Sequence, residues 1–221
     1  LHGIYLEISK EFVSLFLILY MAKIIFFQSH PDDLEFNCSQ LLHYLTKRSS
    51  KDHSVKIASM TRGETGIDPK SPSDHKFKGE RLGKIRTHEF YKVMEFHGIN
   101  RDDIHFFNII NGFVRFNIET INLIAYYLKK ETPDIIFAPA ARNTYYRHPD
   151  HMKTGKIIYY ILDKNIIPNF KPKLYFYSSI GSNFHWPFNK DEIQTVLTLF
   201  QMHKSQQWMM RNIKTDRKSV V

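Results

Sequence analysis

What most restricts the fold of this chain is an alternation. Five short apolar runs, at residues 23–28, 54–60, 103–108, 134–138 and 174–178, are separated by longer stretches with helical periodicity. Runs this short, and this rich in Ile, Val and Phe, fit buried strands. Between them, 34–48 places Leu34, Leu41, Leu42 and Leu45 on one helical face, and 80–97, 118–130, 151–163 and 191–206 behave similarly. Several runs lack polar alternation, so both of their faces must be covered. The order β-α-β-α-β-α-β-α-β-α therefore predicts an α/β fold: an open parallel sheet with right-handed crossovers and helices on both faces. The 221 residues, 43% hydrophobic and 24% charged, suffice for one such core.

Composition narrows the chemistry. With Cys38 as the single cysteine, neither an intrachain disulfide nor a zinc ribbon can be built, so any metal must rest on carboxylates and on the twelve histidines. The formal charge is +9, but the basic residues are scattered (Lys47, Arg48 and Lys51; Lys70, Lys76 and Lys78; Arg211, Lys214, Arg217 and Lys218). A nucleic-acid stripe would interleave them with aromatics, so nucleic acid is not an expected partner. The longest apolar run, 12–22, is too short for the ~20 residues of a spanning helix, and residues 1–10 lack the positive region of a secretory signal. The expectation is one α/β domain at 21–221, preceded by an appendage at 1–20 that would be a short anchor or a docked helix. A cytoplasmic location follows, compatible with peripheral association with a membrane and with a homo-oligomer.

Two tetrapeptides carry the chemistry: His30-Pro31-Asp32-Asp33 and His148-Pro149-Asp150-His151, each directly after an expected strand and opening an expected helix. One copy alone reads as a helix start, with Asp as cap and Pro in the first turn. Two copies mean more. In an open, Rossmann-like sheet the carboxyl ends of the strands on either side of the topological switch point lie side by side, and strands 1 and 4 are expected to be those neighbours. Histidines and carboxylates from distant segments would meet in one crevice, as a catalytic Zn²⁺ with three N/O ligands and an open position requires. Spacing alone leaves open which of the six groups ligate. The other histidines singled out, His43, His53, His75, His88, His97 and His105, lack such company and are expected at the surface or as caps. The segment 61–79, with Gly63, Gly66, Pro69, Pro72 and Gly79, is too long for a connector and is expected at the crevice rim, with Glu64 facing in.

These motifs resemble those of the zinc-dependent N-deacetylases of the GlcNAc-phosphatidylinositol de-N-acetylase and LmbE-like group. The first is similar to the group's AHPDD(E) element, with Ser29 in place of Ala, and the second to its HPDH element. The resemblance runs from about Lys23 to Gln206 and includes Thr61-Arg62-Gly63-Glu64, Arg86 with Glu89, Phe137-Ala138-Pro139 and His203-Lys204-Ser205-Gln206. It implies that His30, Asp33 and His151 bind one divalent metal, Zn²⁺ with Fe²⁺ or Co²⁺ as alternatives, and that Asp32 is the general base. It further implies that His148 stabilises the oxyanion and helps protonate the leaving amine, with Asp150 orienting its ring and biasing it toward the charged form. Substrate contacts are implied for Arg86 and Tyr146. Where many relatives have an Asp-Gly turn after strand 3, this chain has Asn111-Gly112.

The implied activity is hydrolysis of the N-acetyl group of an N-acetylglucosamine-type small molecule or glycoconjugate through metal-activated water. A metal-dependent amidase or esterase acting on a non-sugar substrate shares the same core chemistry and is the alternative. A non-catalytic basic protein is disfavoured by the intact motifs.

Overall fold

The computed structural model of the protein describes residues 22–48, 53–71, 76–144, 147–181 and 190–209. The expected appendage at 1–20, residues 72–75 of the expected rim segment with His75 among them, and Tyr146 lie outside them. The elements are β1 (Lys23–Gln28), α1 (Asp33–Asn37), α2 (Ser39–His43), β2 (Ser54–Ser59), α3 (Glu80–His97), β3 (Ile104–Phe106), α4 (Ile118–Glu131), β4 (Ile135–Pro139), α5 (Pro149–Asp163), β5 (Lys173–Tyr177) and α6 (Lys190–Met202). The five strands form one parallel sheet in the order β3-β2-β1-β4-β5. From β1 the chain works outward through β2 to β3, then crosses back to place β4 on the other side of β1. Ile24 is thus opposite Val55 on one flank and Ile135 on the other.

Strand alternation sorts the core into two layers, as period-two geometry requires. Ile24 and Phe26 face Leu34, Leu41, Leu42 and Leu45, with Phe90, Val93 and Met94 of α3 and Leu199 of α6 in the same layer. Ile25 and Phe27 face the other way, onto Ile121, Ile124 and Leu128 of α4 and Ile157, Ile158 and Ile161 of α5. Phe26 stacks on Phe137 across the β1–β4 boundary, with ring centroids 4.5 Å apart.

Two local departures from the sequence expectation shape the site. The stretch 34–48 is not one helix: it breaks at Cys38 and ends in a π-helical turn at Tyr44–Arg48. At the break, Asn37 Nδ2 donates to the Asp33 carbonyl over 2.6 Å, the competition with the backbone that disfavours Asn inside helices. Helix α5 begins at Pro149, two residues earlier than periodicity suggested, because His148 acts as its cap. Here Gly155 lets α5 lie directly on β4, since a Cβ would collide with the Pro139 carbonyl and sit 2.9 Å from the Ala141 nitrogen. Among the described residues no helix is long and apolar enough to cross a membrane.

Candidate active site

The two Pro-Asp motifs meet at the carboxyl ends of β1 and β4, where the strand order reverses. His30, Asp32, Asp33, Asp150 and His151 are all buried, and His148 is half-buried beside them. His30 Nδ1 lies 3.0 Å from His151 Nε2, and Asp33 Oδ1 lies 3.6 Å from the first and 3.1 Å from the second. Asp33 cannot swing away, because its Oδ2 accepts the backbone amides of Ser29 (2.8 Å) and His30 (3.0 Å). Burial alone would raise the Asp33 pKa, but His151 and His30 more than offset it and hold the carboxyl well below its usual range.

This triangle fits a metal. Donors about 2.0–2.1 Å from a tetrahedral Zn²⁺ are separated by about 3.3–3.4 Å, close to the three spacings found here. A wider set also exists among the described residues: His30, His148 and His151 have ligand atoms within 4.8 Å of one another. His148, however, uses Nδ1 to accept the Asp150 amide over 3.2 Å, which caps α5. A neutral imidazole with an accepting Nδ1 carries its proton on Nε2, and a protonated nitrogen is no ligand.

The electrostatics of the two remaining groups differ from expectation. Burial, reinforced by the neighbouring His30 and His151 rings, pushes the His148 pKa down to about 4, and the opposing pull of Asp150 and Asp33 does not compensate. This direction is opposite to the one expected from a carboxylate behind the ring. The Asp150 carboxylate instead accepts Gly112 N over 2.7 Å and Val114 N over 3.3 Å, and lies 3.4 Å from His30 Nε2. It stands behind His30 in the manner of a carboxylate that orients a metal-ligating imidazole; toward His148 its backbone amide donates to Nδ1 and its carboxylate acts by charge. Burial would lower the His30 pKa, but Asp33 and Asp150 raise it to about 9, so a metal at Nδ1 would have to displace a proton from this ring.

Asp32 does not cap its helix through its side chain. It pairs with Arg86, whose Nη2 donates to Oδ1 over 2.8 Å while Nη1 donates to the Gly63 carbonyl over 3.1 Å. Arg86 was expected at the substrate; only 3% exposed, it is committed to Asp32 and to the loop after β2. Glu64, also buried, ties loops together, accepting Asn111 N over 3.2 Å and Arg62 Nε over 3.4 Å. The described parts of the loop, 61–71 and 76–79, follow β2 at its carboxyl edge, and the Asn111-Gly112 turn serves the site through its amides. Ser29, the departure from Ala, places its hydroxyl 3.0 Å from Thr154 Oγ1 across the β1–α5 boundary. Its sequence signal is only the small side chain before the first motif.

Sequence reasoning missed one buried pair and misplaced one histidine. His203 Nε2 lies 3.1 Å from Glu35 Oε2, both nearly inaccessible. His97, expected at the surface, is fully buried at the end of α3.

Comparison with known proteins follows the same lines. A profile of the family described as PIG-L, GlcNAc-PI de-N-acetylase, matches residues 25–162. No curated protein sequence gives a significant match. Among solved structures, an N,N'-diacetylchitobiose deacetylase from Pyrococcus horikoshii is similar, with a TM-score of 0.71, 24% identity, 84% of this chain covered and 70% of that one. A zinc-inhibited form of a teicoplanin deacetylase matches with a TM-score of 0.59 at 12% identity, covering 85% of each chain. GalB, the 4-carboxy-2-hydroxymuconate hydratase from Pseudomonas putida, matches with a TM-score of 0.54 at 13% identity, covering 90% of each. At such identities the likeness is one of fold, and the hydratase demonstrates that this fold hosts more than one reaction.

Proposed function

The chain belongs to the PIG-L (GlcNAc-PI de-N-acetylase) family, and from that premise we propose that it removes the N-acetyl group of an N-acetylglucosamine-type substrate. The observation that carries the reading is the buried triangle of His30 Nδ1, His151 Nε2 and Asp33 Oδ1 with spacings of 3.0, 3.1 and 3.6 Å. These three residues would hold one divalent metal, Zn²⁺ first among the candidates. When bound, such an ion polarises a carbonyl and acidifies water.

The chain's own groups supply the rest. Asp32, adjacent to Asp33 and fixed by Arg86, accepts the proton of the attacking water as its oxygen forms a bond to the acetyl carbon. His148, with Nδ1 engaged by the Asp150 amide, presents an Nε2–H as the donor for the developing oxyanion, and preorganised donors of this kind act most strongly in a water-poor site. Collapse breaks the C–N bond, the proton held on Asp32 passes to the departing nitrogen, and acetate and a free amine remain. Asp150 orients His30 from behind. In this reading Arg86 acts on the substrate only through Asp32, and Tyr146 is proposed as a substrate contact on the family resemblance alone.

The test is acetate release from a panel of N-acetylated sugars by metal-loaded and chelator-treated protein. Chelator-sensitive release from at least one N-acetylglucosamine derivative is the expected result. Absence of release from every sugar, alongside turnover of simple non-sugar amides or esters, would overturn the substrate assignment.

A further inference from the structure

The late segment His203-Lys204-Ser205-Gln206 has no part in the chemistry above, yet three of its four side chains are bonded to three separate segments that converge on Asp32. His203 Nε2 lies 3.1 Å from Glu35 Oε2, on the short helix α1 that begins at Asp33. Ser205 donates twice to Glu89, from its backbone nitrogen to Oε1 over 3.0 Å and from its hydroxyl to Oε2 over 2.6 Å. Glu89 is one turn beyond Arg86 on α3. Gln206 Nε2 donates to the Gly66 carbonyl over 2.8 Å.

Gly66 belongs to the wall around Arg86. A Cβ at Gly66, or at Gly63, would collide with the Arg86 guanidinium, and Gly63 also has φ +70°, a conformation costly for other residues. Gly66 N donates to Gly63 O over 3.2 Å, and Gly63 O is the second acceptor of Arg86. The backbone of 63–66 therefore closes directly on the guanidinium, and Gln206 holds that backbone by the Gly66 carbonyl. Ser205 fixes the helix that carries Arg86. Both bonds bear on one buried ion pair, Arg86 with Asp32.

Resting on the reading of Asp32 as the base, we propose that Ser205 and Gln206 are positioning residues: they hold Arg86, and Arg86 holds the Asp32 carboxylate in its working orientation. Reacting groups displaced by an ångström lose large factors in rate while substrate affinity, set elsewhere, changes little. A merely structural role would instead lower stability and leave the kinetics of the folded protein unchanged.

The experiment is a double-mutant cycle between Gln206→Met, which keeps volume and removes the donor, and Arg86→Met. Metal content is measured for each protein. Gln206→Met is expected to lower kcat roughly tenfold, with KM and metal content within about twofold of wild type. In the Arg86→Met background the same change is expected to have no further effect, because the pathway is already cut. Effects that multiply, an unchanged kcat, or a change confined to KM would overturn the proposal. A second readout is independent of turnover: the ¹⁵N signal of the Arg86 Nε–H, identified by its loss in Arg86→Met. Its solvent exchange should accelerate at least about tenfold in Gln206→Met while the β1 amides stay protected; equal exchange in both proteins would refute the clasp. Should the wild-type protein release acetate from no sugar, the functional reading fails by itself and this signal still decides the positioning role. Ser205→Ala repeats both measurements from the other bond, and should Gln206→Met not fold it carries the decision under the same criteria.

Discussion

Replacing His97 should change how the fold responds to acid. His97 is completely buried, neither ring nitrogen has a hydrogen-bond partner among the described residues, and the charges acting on it, those of His43 and Lys47, are positive. Burial first, then those two groups, push its pKa from the ordinary 6.5 down to about 3. The sign follows from linkage: a base whose folded pKa is depressed costs nothing above the unfolded value, whereas below it the unfolded chain binds a proton that the native state refuses. Stability attributable to His97 is thus lost as pH falls from about 6.5 toward 3, by about 1.4 kcal/mol per pH unit. At pH 5 the loss is about 2 kcal/mol, and at pH 7.5 it is about zero. The substitution His97→Leu removes the titrating group and two buried unpartnered nitrogens, so the variant should be at least as stable as wild type at pH 7.5. The gap should widen by about 2 kcal/mol at pH 5, roughly 1 M in urea midpoint for a slope near 2 kcal/mol/M. Urea unfolding of both proteins in one chelator-containing buffer at pH 7.5, 6 and 5 measures it, since the other histidines are common to both and cancel. Parallel pH curves would refute the argument.

Other outcomes follow from the site and its frame. Asp32→Asn should retain the metal and lose activity by roughly 10²–10⁴-fold, since the amide fills the same space but accepts no proton; turnover within a few fold of wild type would remove Asp32 as the base. Metal analysis should separate the two candidate ligand sets: His151→Ala is expected to abolish stoichiometric binding, whereas His148→Ala should keep one metal and lose roughly 10²–10³-fold in kcat. Loss of metal from His148→Ala would make it a ligand instead. Gly155→Ala should destabilise the fold by about 3 kcal/mol, lowering Tm by roughly 5–10 °C, because its methyl group must displace either α5 or the end of β4; an unchanged Tm would contradict that packing.

The amino-acid order by itself determined the strand and helix alternation, and hence the parallel sheet. It did so because burial on both faces leaves uninterrupted apolar runs, while helices keep their 3.6-residue stripe. It also brought the two Pro-Asp motifs together, because parallel strands and right-handed crossovers put both carboxyl ends at the switch point. Other features were decided only by tertiary packing. Nothing local in the sequence tells that Asp150 sits behind His30, that Arg86 turns to Asp32, or that Glu35 awaits a histidine late in the chain. Nor does it tell that His97 is sealed in the core, a position that periodicity assigns equally to the edge of a helical face. These depend on which of several polar partners a buried group finds once the layers close, and burial makes each choice obligatory because an unpaired polar group in the interior is costly.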